Sequence, residues 1–242
     1  MKEWIYGKNT IREALENGRI QDTVYVQEGS RDEKIIALCR QKGVAVSVQP
    51  KRFFMRHAPQ ARTQGLLAQV EGYDYMPLES LIAQLKAKSE PLLVMLDGLE
   101  DPHNLGAILR TADAIGADGI IIGKNRSVSL NSTVAKVSTG AIEHVPVCQV
   151  TNLARTLETL KQEGYWVVGT AMEGAQDYRE PDYRGPLVLV IGSEGFGISR
   201  LVLEKCDFKV SLPMRGHVTS LNASVACAIL LYAIDAARHP LS

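Results

Sequence analysis

The sequence predicts an α/β protein whose larger part is a parallel sheet covered on both faces, preceded by a smaller α/β unit. Three observations carry this. From Pro91 onward, short continuous apolar runs (92–96, 119–122, 145–148, 166–169, 187–191 and 208–212) alternate with helical segments. Strands apolar on both faces belong to sheets buried on both sides. Charge shifts along the chain: residues 1–72 hold twelve Lys or Arg against eight Asp or Glu, and the remainder fifteen against nineteen. Finally, several apolar runs end in glycines or small polar residues, the junctions at which α/β proteins bind ligands.

At 242 residues the chain accommodates one large domain or two modest ones. The expected division is 1–72, a linker over 73–90, and a main domain over 91–242. In the first part, 10–16 reads as helix and 23–27 as a short strand. Ser30 is a candidate N-cap for a helix running to about Lys42, and 45–48 and 66–70 are further β-rich runs. Between Gly29 and Arg62 stand eight basic residues and two acids. Within this stretch, Phe53-Phe54-Met-Arg-His57 and Pro59-Gln-Ala-Arg-Thr-Gln-Gly65 mix rings, cations and amides. That mixture suits single-stranded RNA, although at least one of Phe53 and Phe54 is expected in a core.

Residues 71–76, Pro77 and an amphipathic stretch to Lys88 read as a linker and a connecting helix. The last helix, expected over 223–236, is apolar almost all round. Ile229, Leu230, Leu231, Tyr232 and Ile234 need burial within the domain or against a second subunit.

Composition excludes several classes. Apolar content of 45% and charged content of 22% are those of an ordinary globular protein. No run approaches the roughly 20 apolar residues of a membrane span, and Met-Lys-Glu-Trp lacks a signal-peptide pattern. Cys39, Cys148, Cys206 and Cys227 are far apart, which argues against zinc or a disulfide framework and for reduced thiols in the cytoplasm.

Three segments carry the chemistry. Asp101-Pro-His-Asn-Leu-Gly-Ala-Ile-Leu-Arg110 opens with an N-cap and an N1 proline. Leu105, Ile108, Leu109, Ala112 and Ile115 then form a buried stripe, with Asn104 in the first turn and Arg110 off the stripe, where it could simply pair with Asp113. Ile191-Gly-Ser-Glu-Gly-Phe-Gly197 follows a buried strand and precedes a helix expected to be capped by Ser199. Its spacing is G-x-x-G-x-G, and no acidic ribose ligand follows, so a dinucleotide site is rejected. Glu194 sits between glycines, near backbone donors. Leu212-Pro-Met-Arg-Gly-His-Val-Thr-Ser-Leu-Asn222 leads into the final helix, where Ser220 and Asn222 are candidate caps. His103 and His217 lack the partners of a base or a metal ligand, and no metal is expected.

Taken together, these segments resemble the SpoU (TrmH-type) ribose 2′-O-methyltransferases of the SPOUT class. Asn104–Arg110, Ile191–Gly197 and Leu212–Asn222 match the three motifs, and the resemblance covers about 92–237. Ile5-Tyr-Gly-Lys-Asn and Thr63-Gln-Gly65 are further similar to members that methylate a guanosine of bacterial 23S ribosomal RNA; those often carry a histidine where this chain has Thr63.

The resemblance implies S-adenosyl-L-methionine as cofactor, RNA as substrate, a homodimer and a deep C-terminal trefoil knot. It also implies an N-terminal RNA-binding domain resembling a ribosomal protein. General topology rules disfavour knots, so that expectation rests on the resemblance alone. It further implies that Thr170, Ala171, Ile191, Gly192, Leu212, Met214, Ser220 and Leu221 surround the cofactor. Asn104, Arg110, Glu194 and Asn222 are then the catalytic set. Alternative readings are a tRNA 2′-O-methyltransferase and a non-catalytic RNA-binding assembly factor on the same fold.

Overall fold

A computed structural model describes residues 2–30, 32–59 and 61–240. The chain divides between Tyr73 and Asp74 into two compact units.

The first unit is built from β1 (Lys2–Tyr6), α1 (Lys8–Glu16), β2 (Thr23–Gln27), α2 (Glu33–Lys42), β3 (Ala45–Gln49), α3 (Lys51–His57) and β4 (Leu66–Glu71). Its sheet has the order β1-β4-β2-β3; only β2 and β3, joined through α2, run parallel. Helices α1 and α2 supply Ile11, Ala14, Leu15, Ile35 and Cys39 to one face, against Val24, Val26, Leu66, Ala68 and Val70. The cap of α2 is Asp32, not Ser30: its Oδ1 accepts from the Ile35 N–H at 3.3 Å. A salt bridge from Lys8 Nζ to Asp32 Oδ2 at 2.9 Å pulls its carboxyl below the usual range. The sequence reading also missed β1, whose alternation is too short to stand out, and left 51–57 without a helix.

The second unit contains α4 (Leu78–Leu85), β5 (Leu92–Asp97), α5 (Pro102–Ala114), β6 (Gly119–Gly123), α6 (Ser132–Ser138), β7 (Val147–Val150), α7 (Leu153–Gln162), β8 (Trp166–Thr170), β9 (Gln176–Asp177), β10 (Leu187–Gly192), α8 (Arg200–Leu203), β11 (Phe208–Ser211) and α9 (Ala223–Arg238). Seven strands form one sheet in the order β7-β6-β5-β10-β8-β11-β9, every pair parallel. Continuous burial along β5, β6 and β10 shows why those runs lack alternation.

One face carries α4, α7 and α8, with Leu81, Ile82, Leu157, Leu160 and Val202 packed on Met95, Ile121, Val167 and Val190. The expected connecting helix, α4, thus belongs to this core. Helix α9 packs on α5 and β10. Its far end is tied down by Arg238, whose guanidinium donates to the carbonyls of Tyr183, Gly185 and Glu90 at 2.9, 2.7 and 2.8 Å. Two runs shift at their edges: the strand expected over 145–148 starts only after Pro146, and the one expected over 208–212 stops at Ser211.

Candidate active site

The first wall of the site is the turn from β5 into α5. Asp101 caps the helix through its carboxylate and the His103 N–H at 2.9 Å, with Pro102 at the first helical position. The apolar stripe then buries Leu105, Ile108, Leu109 and Ala112, and Asn104 is drawn in with it, only 5% exposed. Gly106 lets α5 lie close on α6, since a Cβ there would stand 2.6 Å from Val137 Cβ.

The second wall is the loop after β10. A bridge between Ser193 and Gly197, with backbone bonds of 3.1 and 2.9 Å, folds it back on itself. A Cβ on Gly192 would fall 2.1 Å from the Gly197 carbonyl carbon, so no side chain fits there. This turn holds Glu194 toward α5 and α9. Ser199 leads into α8 with no side-chain cap bond; instead its N–H donates to Asp97 Oδ2 at 2.7 Å.

The third wall is the start of α9. Asn222 Oδ1 accepts from the N–H groups of Ser224 and Val225 at 2.9 and 3.3 Å. That cap fixes the amide's orientation, so its Nδ2 must donate elsewhere. It donates to Glu194 Oε1 at 2.7 Å and to Asn104 Oδ1 at 3.0 Å. Asn104 Nδ2 in turn donates to Glu194 Oε1 at 2.9 Å, and the Ala223 N–H adds a fourth contact at 3.4 Å. One carboxylate oxygen thus takes three donors, while Glu194 Oε2 accepts none among the described residues. A residue from each motif meets in a closed triangle.

Beside this triangle lies a cleft of about 720 Å³, lined by Asp97, Glu100, Asn125, Arg126, Phe196 and others. It opens past the ends of the paired strands β5 and β10, where the strand order reverses: β6 and β7 continue to one side, β8 and β11 to the other. Such reversal points are where open α/β sheets bind ligands. Sequence reading missed Asn125, Arg126 and Phe196. Phe196, 95% exposed between two glycines, had a readable signal: an apolar ring inside a turn.

None of the eight residues expected around a cofactor lines that cleft; most of them stand along adjacent strand ends. Thr170 ends β8 and Ala171 follows it, Ile191 and Gly192 finish β10, and Leu212 and Met214 follow β11; Ser220 and Leu221 precede α9. The order β10-β8-β11 makes the first three pairs neighbours. Ile191 is buried, Leu212 and Met214 half-buried, Ser220 and Leu221 exposed. Among the described residues, no N–H of 212–221 donates to a backbone carbonyl.

Arg110 is not in the triangle. It lies on the exposed side of α5, about 9 Å along the axis from Asn104. The alternative pairing with Asp113 does not form either, and no ion pair engages Arg110 among the described residues. Helix α9 buries Cys227, Leu230, Leu231 and Ile234 but leaves Val225, Ile229 and Tyr232 exposed at 46, 37 and 55%. Among the described residues there is no cluster of potential metal ligands, and no helix is long and apolar enough to cross a membrane.

Comparison with known proteins is extensive. The SpoU rRNA Methylase family model matches residues 91–232, and a model described as RNA 2′-O ribose methyltransferase substrate binding matches residues 4–76. The chain is 47% identical to YacO of Bacillus subtilis, named for the TrmH family of tRNA/rRNA methyltransferases, over 99% of this chain and 97% of that one. A similarly named Staphylococcus saprophyticus protein is 49% identical over 97% and 96%. Among solved structures, an AdoMet-bound rRNA methyltransferase from Sinorhizobium meliloti aligns with a TM-score of 0.64 at 26% identity, covering 100% of this chain and 88% of that one. The SpoU methyltransferase AviRb from Streptomyces viridochromogenes, in complex with AdoMet, aligns at 0.63 and 26%, covering 98% and 90%.

Proposed function

Since the chain belongs to the SpoU rRNA Methylase family, we propose that it transfers a methyl group from S-adenosylmethionine to a ribose 2′-hydroxyl of RNA. The observation that carries this reading is the Asn104–Glu194–Asn222 triangle beside a row of strand ends.

Bound S-adenosylmethionine supplies a methyl group activated on a positively charged sulfur. The residues assigned to it fit such a ligand: Thr170, Ala171, Ile191, Gly192, Leu212, Met214, Ser220 and Leu221 include no charged side chain. Leu212, Met214 and Leu221 offer apolar surface to an adenine, and the free N–H groups of 212–221 offer donors to its edge.

Glu194 and Asn222 brace the loops and the substrate ribose, with Glu194 Oε2 free to accept from a hydroxyl. Arg110 clamps an RNA phosphate and stabilises the 2′-oxygen as its proton passes to water, while the sulfur that gives up the methyl leaves as the neutral thioether S-adenosylhomocysteine. A guanidinium stays protonated in proteins and is a poor proton acceptor, which favours this electrostatic role over that of a base.

A guanosine of 23S ribosomal RNA is the substrate this reading favours. Its support is the pair of N-terminal segments, which the fold joins: Gln64 Oε1 accepts from the Lys8 N–H at 2.9 Å. The reading includes a homodimer, supported by the exposed Val225–Ile229–Tyr232 stripe, which one turn of helix after another presents on the same side. It also includes the knot, supported by insertion of the late strand β10 between β5 and β8. Four free cysteines accord with the cytoplasm, where ribosomal and transfer RNA are found.

The test is methyl transfer from labelled S-adenosylmethionine to protein-free 23S, 16S and transfer RNA, followed by nucleoside mass spectrometry. The expected product is 2′-O-methylguanosine from 23S RNA. Label in transfer RNA would move the substrate assignment, and no label in any RNA would overturn the enzyme assignment.

A further inference from the structure

Helices α1 and α2 cover only one face of the four-stranded sheet. Alternation along β2 sends Val24 and Val26 into that core and Tyr25 to the other side. There Tyr25 meets Trp4 of β1, ring centroids 5.6 Å apart. Helix α3 lies over this second face. Phe53 approaches Tyr25 at 4.9 Å and Trp4 at 5.9 Å, and His57 approaches both Trp4 and Phe53 at 4.5 Å. Phe54 is buried, but Trp4, Tyr25, Phe53 and His57 remain half-buried.

Cations ring this group. Lys51, Arg52 and Arg56 on α3 and Arg62 just beyond it are all exposed, and α3 contains no acidic residue. Among the described residues none of the four forms an ion pair, whereas Lys2 and Lys8 of the same unit are paired with Asp22 and Asp32. Unpaired cations around partly open rings match a chain that alternates phosphates with flat bases. Phosphates release counterions when they meet Lys and Arg, and any base can stack on a ring. An acidic protein surface would use the cations and leave the rings without a role.

We propose that this α3 face is where the first unit grips single-stranded RNA, with Lys51, Arg52, Arg56 and Arg62 on phosphates and an unstacked base against the Trp4–Phe53–His57 rings. It rests on the RNA-methyltransferase reading and adds to it the face through which the substrate is held.

The experiment compares two double variants of the intact chain that change charge equally on opposite faces. One is Arg52→Glu with Arg56→Glu; the other is Lys34→Glu with Arg40→Glu, on exposed positions of α2. Binding of a labelled single-stranded RNA of about 20 mixed nucleotides is followed across salt concentrations. The α3 variant is expected to bind about tenfold more weakly, with a salt slope shallower by about 1.4, as for two lost phosphates on a single strand. The α2 variant should stay within about twofold of wild type. Equal losses in both, or no loss in the α3 variant, overturn the proposal.

In a Trp166→Phe background, Trp4 is the one remaining tryptophan. Its emission should be quenched by the same RNA, and unchanged emission would overturn the stacking element. Methyl transfer to protein-free ribosomal RNA keeps the two readings separate. A wild-type chain that methylates RNA, with an α3 variant of unaltered KM for RNA, overturns only the surface; a wild-type chain that never methylates overturns the enzyme.

Discussion

Asn222 Nδ2 lies 2.7 Å from Glu194 Oε1 while the same side chain's Oδ1 caps α9. One amide therefore couples the start of the last helix to the loop after β10. Asn222→Ala removes the cap and the bonds to Glu194 and Asn104 together; loss of the cap alone costs about 1 kcal/mol. Asn222→Asp separates the two roles. It keeps a capping oxygen but sets a second carboxylate against Glu194, so thermal stability should stay closer to wild type than in Asn222→Ala while methyl transfer collapses. Melting curves beside turnover rates check this, and an Asn222→Asp protein that turns over at the wild-type rate would refute it.

Arg110 is exposed and unpaired among the described residues, so its removal should barely affect folding. Arg110→Ala is expected to abolish turnover while leaving S-adenosylmethionine affinity, read by calorimetry, nearly unchanged. Parallel loss of both would remove Arg110 from the chemistry.

Gly106 marks close packing between α5 and α6. Gly106→Ala should destabilise the protein by about 1–3 kcal/mol through overpacking against Val137. Adding Val137→Ala vacates that space and should recover part of the loss in denaturant titrations. A double variant destabilised by the full sum of its parts, or more, would show that the contact is not the cause.

Asp32 makes an acid-range prediction. Its carboxyl is lowered below the usual value chiefly by its hydrogen bond to Lys8. Its stabilising contribution is therefore complete above the unfolded carboxylate pKa of about 3.9 and is lost as pH falls through the lower folded value. Asn is as good a cap, so Asp32→Asn keeps the α2 start but gives up this pH dependence. Stability against pH should be flatter below about pH 4 in the variant; parallel curves would contradict the assignment.

How far the sequence revealed this fold depends on the length of each signal. The buried strands β5, β6 and β10 were legible because their apolar runs are unbroken. Strand β9 was not, being two residues long and defined only by its partner β11. Ser30 and Asp32 are equally good caps by residue type; the distant Lys8 accompanies the one that wins. Asn104, Glu194 and Asn222 stood out as polar residues at strand and helix ends. Their direct bonding, across 118 residues between Asn104 and Asn222, is a product of the strand order. Asn125 and Arg126 lie on a turn without a period, so only the folded cleft reveals them, whereas Phe196 is legible as an apolar ring between glycines.

The central claim is that three turns form one functional centre, and a double-mutant cycle tests it directly. kcat/KM for ribosomal RNA would be measured for Glu194→Gln, Asn222→Ala and the pair together. Residues acting as one unit give strongly non-additive losses, so the double variant should be little worse than the poorer single one. Losses that multiply in full would mean that the two side chains act independently.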